Sequence, residues 1–227
     1  MRGRRIVALL RAFFADDLSG MRVLDIGCSA GLITREIAQH SKWTLGIDVD
    51  IDAIAYAFAH HASSRLSFAI ASGDALPVPD AAFDIVVCNH VYEHVRDALA
   101  LMADIARVLR PGGACWFAAG HTWQFIEPHY RLPLLSLMPS RMASAILRAS
   151  GRGEDYTIRF LPPRRVPELF APFADARLVS IDALRDPSRY GIAIGALRFA
   201  PMRWMVRAVA GPLAWLVPTQ LWILRKR

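Results

Sequence analysis

Apolar runs and helical stripes alternate along the first 120 residues. Residues 21–26 form an apolar run of strand length that stops at a glycine-bounded turn over 27–31. A helix over 32–40, a strand over 43–48, a helix over 51–61 and strands over 66–71 and 83–89 follow. The run at 83–89 (FDIVVCN) has the near-continuous apolar content of a strand covered on both faces. Over 96–109, apolar residues at 98, 99, 101, 102, 105, 106, 108 and 109 make a helical stripe. It stops at Arg110-Pro111-Gly112-Gly113, and a fifth strand occupies 114–119. This alternation predicts an α/β fold with a Rossmann-like, doubly wound, mostly parallel sheet, helices on both faces and right-handed crossovers.

After Gly120 the pattern changes. Residues 121–165 hold Pro128, Pro133, Pro139, Pro162 and Pro163 among aromatics and arginines, which predicts an inserted lid with a short helix near 140–149. A helical turn at 167–173 and strands at 177–181 and 190–197 complete a seven-stranded sheet. The domain is thus expected over 1–197, with 198–227 as a separate tail. That tail carries six basic residues and no acid, and residues 208–224 are uncharged but broken by Pro212 and Pro218. Seventeen such residues sit at the lower limit for a spanning helix, and the prolines weaken it further. Trp204, Trp215 and Trp222 beside arginines suit an amphipathic, hydrophobic element lying in a membrane interface; a helix packed on the core or on a second copy is the competing reading.

Composition sharpens this picture. Hydrophobic residues make up 54% of the chain, an excess that needs a location. Residues 1–150 carry 14 basic and 14 acidic residues, so the whole net charge of +7 falls in 151–227. A basic tail rich in Trp, Leu and Val matches an anionic membrane surface better than a nucleic-acid backbone. Cys28, Cys88 and Cys115 show no CxxC spacing and lie in or beside strands, as buried thiols of a reducing compartment do. Near the N-terminus Arg11 interrupts the apolar run and Asp16 and Asp17 follow, so it reads as a first helix, not a secretion signal. The expected location is cytoplasmic, peripheral on the inner membrane face.

The candidate chemistry gathers where strands end. Gly27 and Gly31 in a D-x-G-x-x-x-G frame let the backbone turn sharply and approach a ligand; the G-x-G-x-x-G nicotinamide fingerprint fails at Ser29. Asp48 ends the second strand, where a carboxylate can accept both hydroxyls of a ribose, whereas Asp50 directly precedes a helix and suits a cap. Asp74 follows the third strand, and Asn89 ends the fourth. Ligands of open α/β sheets bind at these carboxyl ends.

VLDIGCSAG, GIDVD, SGDALPVPDAAFDIVVCNHVYEHV and LRPGG resemble, in order and spacing, the motifs of the class I S-adenosylmethionine-dependent methyltransferases, over roughly residues 20–120. The resemblance implies S-adenosylmethionine as cofactor. It implies that Asp25 and the loop Gly27, Cys28, Ser29, Ala30 and Gly31 cradle its methionine part and that Asp48 binds its ribose. Val49, Asp74 and Ala75 would border its adenine, and Asn89 would contact the methionine end. No metal site is expected, because Glu93-His94 lacks ligand spacing.

A hydroxyl acceptor requires a base, and histidine is the side chain tuned for it near neutrality. His94 is the first candidate and His121 the second. The insert HTWQFIEPHYRLP resembles a segment of bacterial methyltransferases linked to cell-surface glycans, which implies Glu127, His129, Tyr130 and Arg131 as acceptor contacts. The leading expectation is methyl transfer to a small molecule or lipid-linked glycan at an anionic membrane surface, reached through 198–227. A quinone or isoprenoid methyltransferase, an RNA methyltransferase and a non-catalytic S-adenosylmethionine-binding protein are the alternatives. Oligomeric state is left open.

Overall fold

The computed structural model describes residues 2–14, 17–180, 182, 217 and 219–227. Helix α1 (Arg2–Phe13) leads into β1 (Arg22–Ile26), α2 (Leu32–Ala38), β2 (Trp43–Asp48), α3 (Ile51–His61) and β3 (Leu66–Ile70). Then come β4 (Phe83–Asn89), α4 (Ala98–Val108), β5 (Leu109–Gly120), α5 (Ser140–Ala149), β6 (Asp175–Leu178) and β7 (Thr219–Arg225). The seven strands form one sheet in the order β3-β2-β1-β4-β5-β7-β6. All neighbours pair in parallel except β7, which runs antiparallel to both β5 and β6. The Rossmann-like, doubly wound architecture expected above is the one observed.

Side-chain alternation builds the two faces. On one, Leu24, Ile26, Val86, Cys88, Cys115, Phe117 and Leu224 pack with Leu101, Met102 and Ile105 of α4 and the helical turn Val166–Phe170. On the other, Val23, Ile85, Val87, Trp116 and Ile223 pack with Val7, Leu9 and Leu10 of α1 and Ile37 of α2. Burying apolar side chains on both faces explains why these strands read as continuous hydrophobic runs.

Two differences from the sequence reading concern β5 and the tail. The Arg110–Gly113 stretch is not a free turn: β5 already pairs at Leu109 with Phe83, and the register shifts before Ile85 meets Ala114. At the tail, residues 219–225, expected to lie in a membrane interface, are an inner strand of the sheet. Trp222 is only 9% exposed, and its ring centroid lies 5.0 Å from that of Phe170. Its indole N–H donates to Gln220 Oε1, and Gln220 is itself buried and donates to the Pro163 carbonyl. An antiparallel slot between two strands hides an apolar run as completely as a bilayer would, and this strand fills that slot. The strand expected over 190–197, and tail residues 198–216 and 218, lie outside the described residues. Among the described residues no helix is long and apolar enough to cross a membrane.

Candidate functional site

Loop 27–31 is locked to β2. The N–H groups of Gly27 and Cys28 both donate to the Ile47 carbonyl, at 2.9 and 3.0 Å. Gly27 and Gly31 have φ of +74° and +73°, which an L side chain adopts only with strain. Space excludes a side chain as well: a Cβ on Gly27 would lie 2.6 Å from Val91 Cγ2, and one on Gly31 would lie 2.7 Å from the Phe68 ring. Asp48 staples the loop from the other side. Its Oδ2 accepts the Ser29 N–H at 2.7 Å and its Oδ1 accepts the Asp50 N–H at 3.0 Å. Each oxygen keeps a further lone pair. Asp50 caps α3 by accepting the Ala53 N–H at 3.0 Å.

Beside this loop opens a cavity of about 810 Å³, lined in part by Gly27, Asp48, Val49, Asp74, Asn89 and His94. Asp74 is held by the Ser72 hydroxyl, and the Ala75 N–H turns back to the Ser72 carbonyl. Arg107 of α4 braces the segment around them, donating to the carbonyls of Leu76 and Val78 and to Asp80 and Asp104. Cys28, Ser29 and Ala30 border a neighbouring concavity with Leu32 and Glu36. Asp25 is buried and accepts the Thr34 hydroxyl at 2.7 Å. Burial pushes its carboxyl up to about 7, Asp48 adding to the effect and the Thr34 hydrogen bond opposing it.

A second cavity of about 530 Å³ shares Gly27, Asn89 and His90 with the first and extends under α1. Ile6, Leu9, Ile33, Trp116, Ala118 and Leu221 make much of its lining. Asn89 stands at the junction, and its Oδ1 accepts the Trp116 indole N–H at 3.1 Å. The side-chain NH₂ and the second lone pair of Oδ1 are what Asn89 has left to offer a ligand.

The histidine candidates separate cleanly. His121 is fully buried: its Nδ1 accepts the Trp123 N–H at 3.1 Å, so its Nε2 donates to the Val217 carbonyl at 2.7 Å. Both nitrogens are committed, which makes His121 a structural residue of the insert and corrects its expectation as a base. His94 lines the large cavity, and its Nε2 lies 3.1 Å from Nε2 of His129. His129 Nδ1 is 2.7 Å from Oε1 of the buried Glu127, whose Oε2 accepts the Tyr130 N–H at 2.6 Å. Of the four expected acceptor contacts, Glu127 thus faces inward and serves His129. Tyr130 packs its ring in the small core of Leu135, Ala143 and Leu147, with its hydroxyl toward the Asp155 carbonyl, and is better placed to hold the insert together than to touch an acceptor. The Arg131 N–H donates to the Glu127 carbonyl, and its side chain is exposed. One ligand atom each of Glu93, His94 and His129 fall within 4.8 Å of one another, a grouping that local spacing did not show. The two imidazoles already share a hydrogen.

Residues 24–117 match the sequence family described as "Methyltransferase domain". The chain therefore holds, over this stretch, a methyltransferase domain. A ubiquinone biosynthesis O-methyltransferase from Aromatoleum aromaticum is 30% identical to it over 149 residues, 64% of this chain and 60% of that protein. A demethylmenaquinone methyltransferase from Tropheryma whipplei is 33% identical over 134 residues, 56% of this chain and 54% of that protein. The matched stretch therefore spans less than two thirds of the length of either relative. The crystal structure of an S-adenosylmethionine-dependent methyltransferase from Mesorhizobium loti shares the fold, with a TM-score of 0.62, 18% identity and 98% of each chain covered.

S-adenosylmethionine is the cofactor that the sequence motifs imply for such a domain, and the solved neighbour of like fold is named for it. The site fits it, with a backbone cradle at Gly27 that any Cβ would fill, a strand-tip carboxylate with lone pairs to spare, and a cavity open between Asp48 and Asn89. Sequence reasoning missed Trp116, which orients Asn89, and the apolar residues of α1 and β7 that line the second cavity. Nothing local marks them, because Trp116 reads as one more apolar residue of β5 and the others arrive from α1 and β7, far apart in the chain.

Proposed function

We propose that the domain methylates a hydroxyl of a small aromatic acceptor carrying an apolar substituent, of the quinol type. The observation that carries this reading is the second cavity, which meets the cofactor cavity at Gly27 and Asn89 and is lined largely by aliphatic and aromatic side chains. A glycan would leave its many hydroxyls unpaired against such walls, at a cost for each. The two relatives named for ubiquinone and menaquinone chemistry support the same acceptor class. S-adenosylmethionine, held by the 27–31 loop and Asp48, would supply an electrophilic methyl group for the acceptor oxygen. The chain's part is alignment and proton removal. Asp48 would hold the ribose hydroxyls, Asp74 would border the adenine, and the Asn89 NH₂ would orient the methionine end. His94, which lines the cofactor cavity that the second one meets at Asn89 and His90, would take the hydroxyl proton. An apolar acceptor of this kind resides in a membrane, so we also propose a peripheral association on the cytoplasmic face, with 198–218 as the contact.

The test is incubation of purified protein with labelled S-adenosylmethionine and a short-chain demethylated quinol, followed by mass spectrometry. An O-methylated product is expected. Methylation of a lipid-linked glycan fraction without turnover of the quinol would reverse the assignment.

A further inference from the structure

The second cavity explains where an acceptor sits but not where its proton goes. His94 follows β4 and His129 belongs to the insert after β5, yet their rings meet edge to face with centroids 4.8 Å apart and an interplanar angle of 81°. The contact is specific at both ends. Glu127 is fully buried and takes one N–H on each oxygen, from His129 and from the Tyr130 backbone. His129 is also flanked by the Phe160 ring at 5.9 Å.

We propose that Glu127, His129 and His94 form a proton relay that serves the acceptor hydroxyl, with His94 as the residue touching substrate and His129 and Glu127 as positioning residues. The inference rests on the hydroxyl-acceptor reading above. Tautomers follow from donor and acceptor rules. A carboxylate only accepts, so His129 carries its hydrogen on Nδ1, and its Nε2 is an acceptor. The hydrogen shared at 3.1 Å therefore sits on His94 Nε2, which leaves the His94 Nδ1 lone pair for the incoming proton. As the acceptor oxygen loses its proton to His94 Nδ1, the Nε2 proton passes to His129 Nε2. One proton enters at one end, one moves within, and the positive charge comes to rest on the His129 imidazolium against Glu127.

The surroundings of His94 agree with this division of labour. Burial holds its pKa below the usual histidine value; His129 and His90 act in the same direction, and Glu93 and Glu127 oppose them. Neutral His94 is thus ready to accept at neutral pH but holds a proton poorly. His129 stands with its Nδ1 2.7 Å from the buried Glu127 carboxylate.

Imidazole nitrogen NMR on the full chain without cofactor, together with pH–rate profiles, tests the relay. In the wild type, His129 should appear as the Nδ1–H tautomer and His94 as the Nε2–H tautomer, and the two should titrate as one coupled unit. Glu127→Gln should lower the pH at which the pair takes its first proton by about one unit and move the acid limb of kcat/KM with it, leaving S-adenosylmethionine affinity unchanged. His129→Gln, at a partly exposed position that leaves Glu127 in place, should shift only His94 and lower kcat. His94→Gln should lower kcat by about 10²–10⁴-fold. Independent titration of the two histidines, or unaltered tautomers in both Glu127→Gln and His129→Gln, overturns the relay whatever the acceptor. Activity that disappears with a chelator and returns with a divalent cation also overturns it, since the imidazoles would then ligate an ion. Coupled titration in a protein that does not turn over the quinol supports the pairing and sinks the acceptor reading.

Discussion

Gly27→Ala isolates the contribution of the cofactor cradle. Two separable costs meet at this position. Holding alanine at φ +74° costs about 1–2 kcal/mol. The new methyl would also stand 2.6 Å from Val91 Cγ2, where carbon atoms ordinarily rest about 3.5–4.0 Å apart. Val91 must therefore retreat by roughly 1 Å, and it lines the cavity beside Asn89 and His94. The variant is expected to melt at lower temperature and to bind S-adenosylmethionine at least about tenfold more weakly, a difference of about 1.4 kcal/mol. Adding Val91→Ala removes the colliding methyl but not the dihedral strain. The double variant should recover most of the lost affinity and only part of the stability, with a coupling energy of about 1 kcal/mol or more. Calorimetric titration and thermal melts of the four proteins complete the cycle. Wild-type affinity in Gly27→Ala, or a double variant no better than the sum of the singles, would refute the cradle.

Asp48→Asn should weaken S-adenosylmethionine binding by about 1.5–3 kcal/mol in a folded protein, read by calorimetry, because it removes a charge-assisted acceptor. Asp25 gives a pH signature. Its native carboxyl keeps a proton to about 7, whereas an unfolded one releases it near 3.9, so its contribution to stability falls as pH rises from about 4 to 7. Asp25→Asn should flatten that decline, and melts that run parallel to wild type across the range would contradict the burial argument. Trp222→Ala should cost about 3–5 kcal/mol in chemical denaturation; a loss below about 1 kcal/mol would mean that β7 is not the inner strand described here.

Much of the cofactor half could be read from the residues because parallel strands covered on both faces announce themselves. FDIVVCN and the run before Gly27 have few other uses, and the two loop glycines fall where φ is positive. Asp48 and Asp50 could be told apart because a cap must precede its helix. The C-terminal strand was misjudged for a physical reason: Trp222, Ile223 and Leu224 between prolines and arginines have the same composition whether they meet lipid or a neighbouring strand. Partners supply the difference, and β7's partners lie about 40 and 100 residues earlier in the chain. His94 was a reasonable single candidate, but its junction with His129 crosses 35 residues and depends on how the insert folds back. His121 misled because a histidine at a strand tip looks alike whether its nitrogens are free or both hydrogen-bonded.

β7 sits between β5 and β6 in space yet follows both in the chain. During synthesis, strands β1 to β5 can assemble with Gly27, Asp48 and Asn89 already at their tips while the far edge of β5 has no partner. At about 5–20 residues per second, the stretch from Gly120 to Thr219 takes on the order of 5–20 s to emerge. For that time the backbone of Ala114–Gly120 offers an open row of hydrogen-bonding groups, the template on which nascent chains pair wrongly. Growth temperature and chaperone supply should therefore govern the yield of soluble protein through this one edge. Lesions in β7 should cost the cell protein before they cost it cofactor binding.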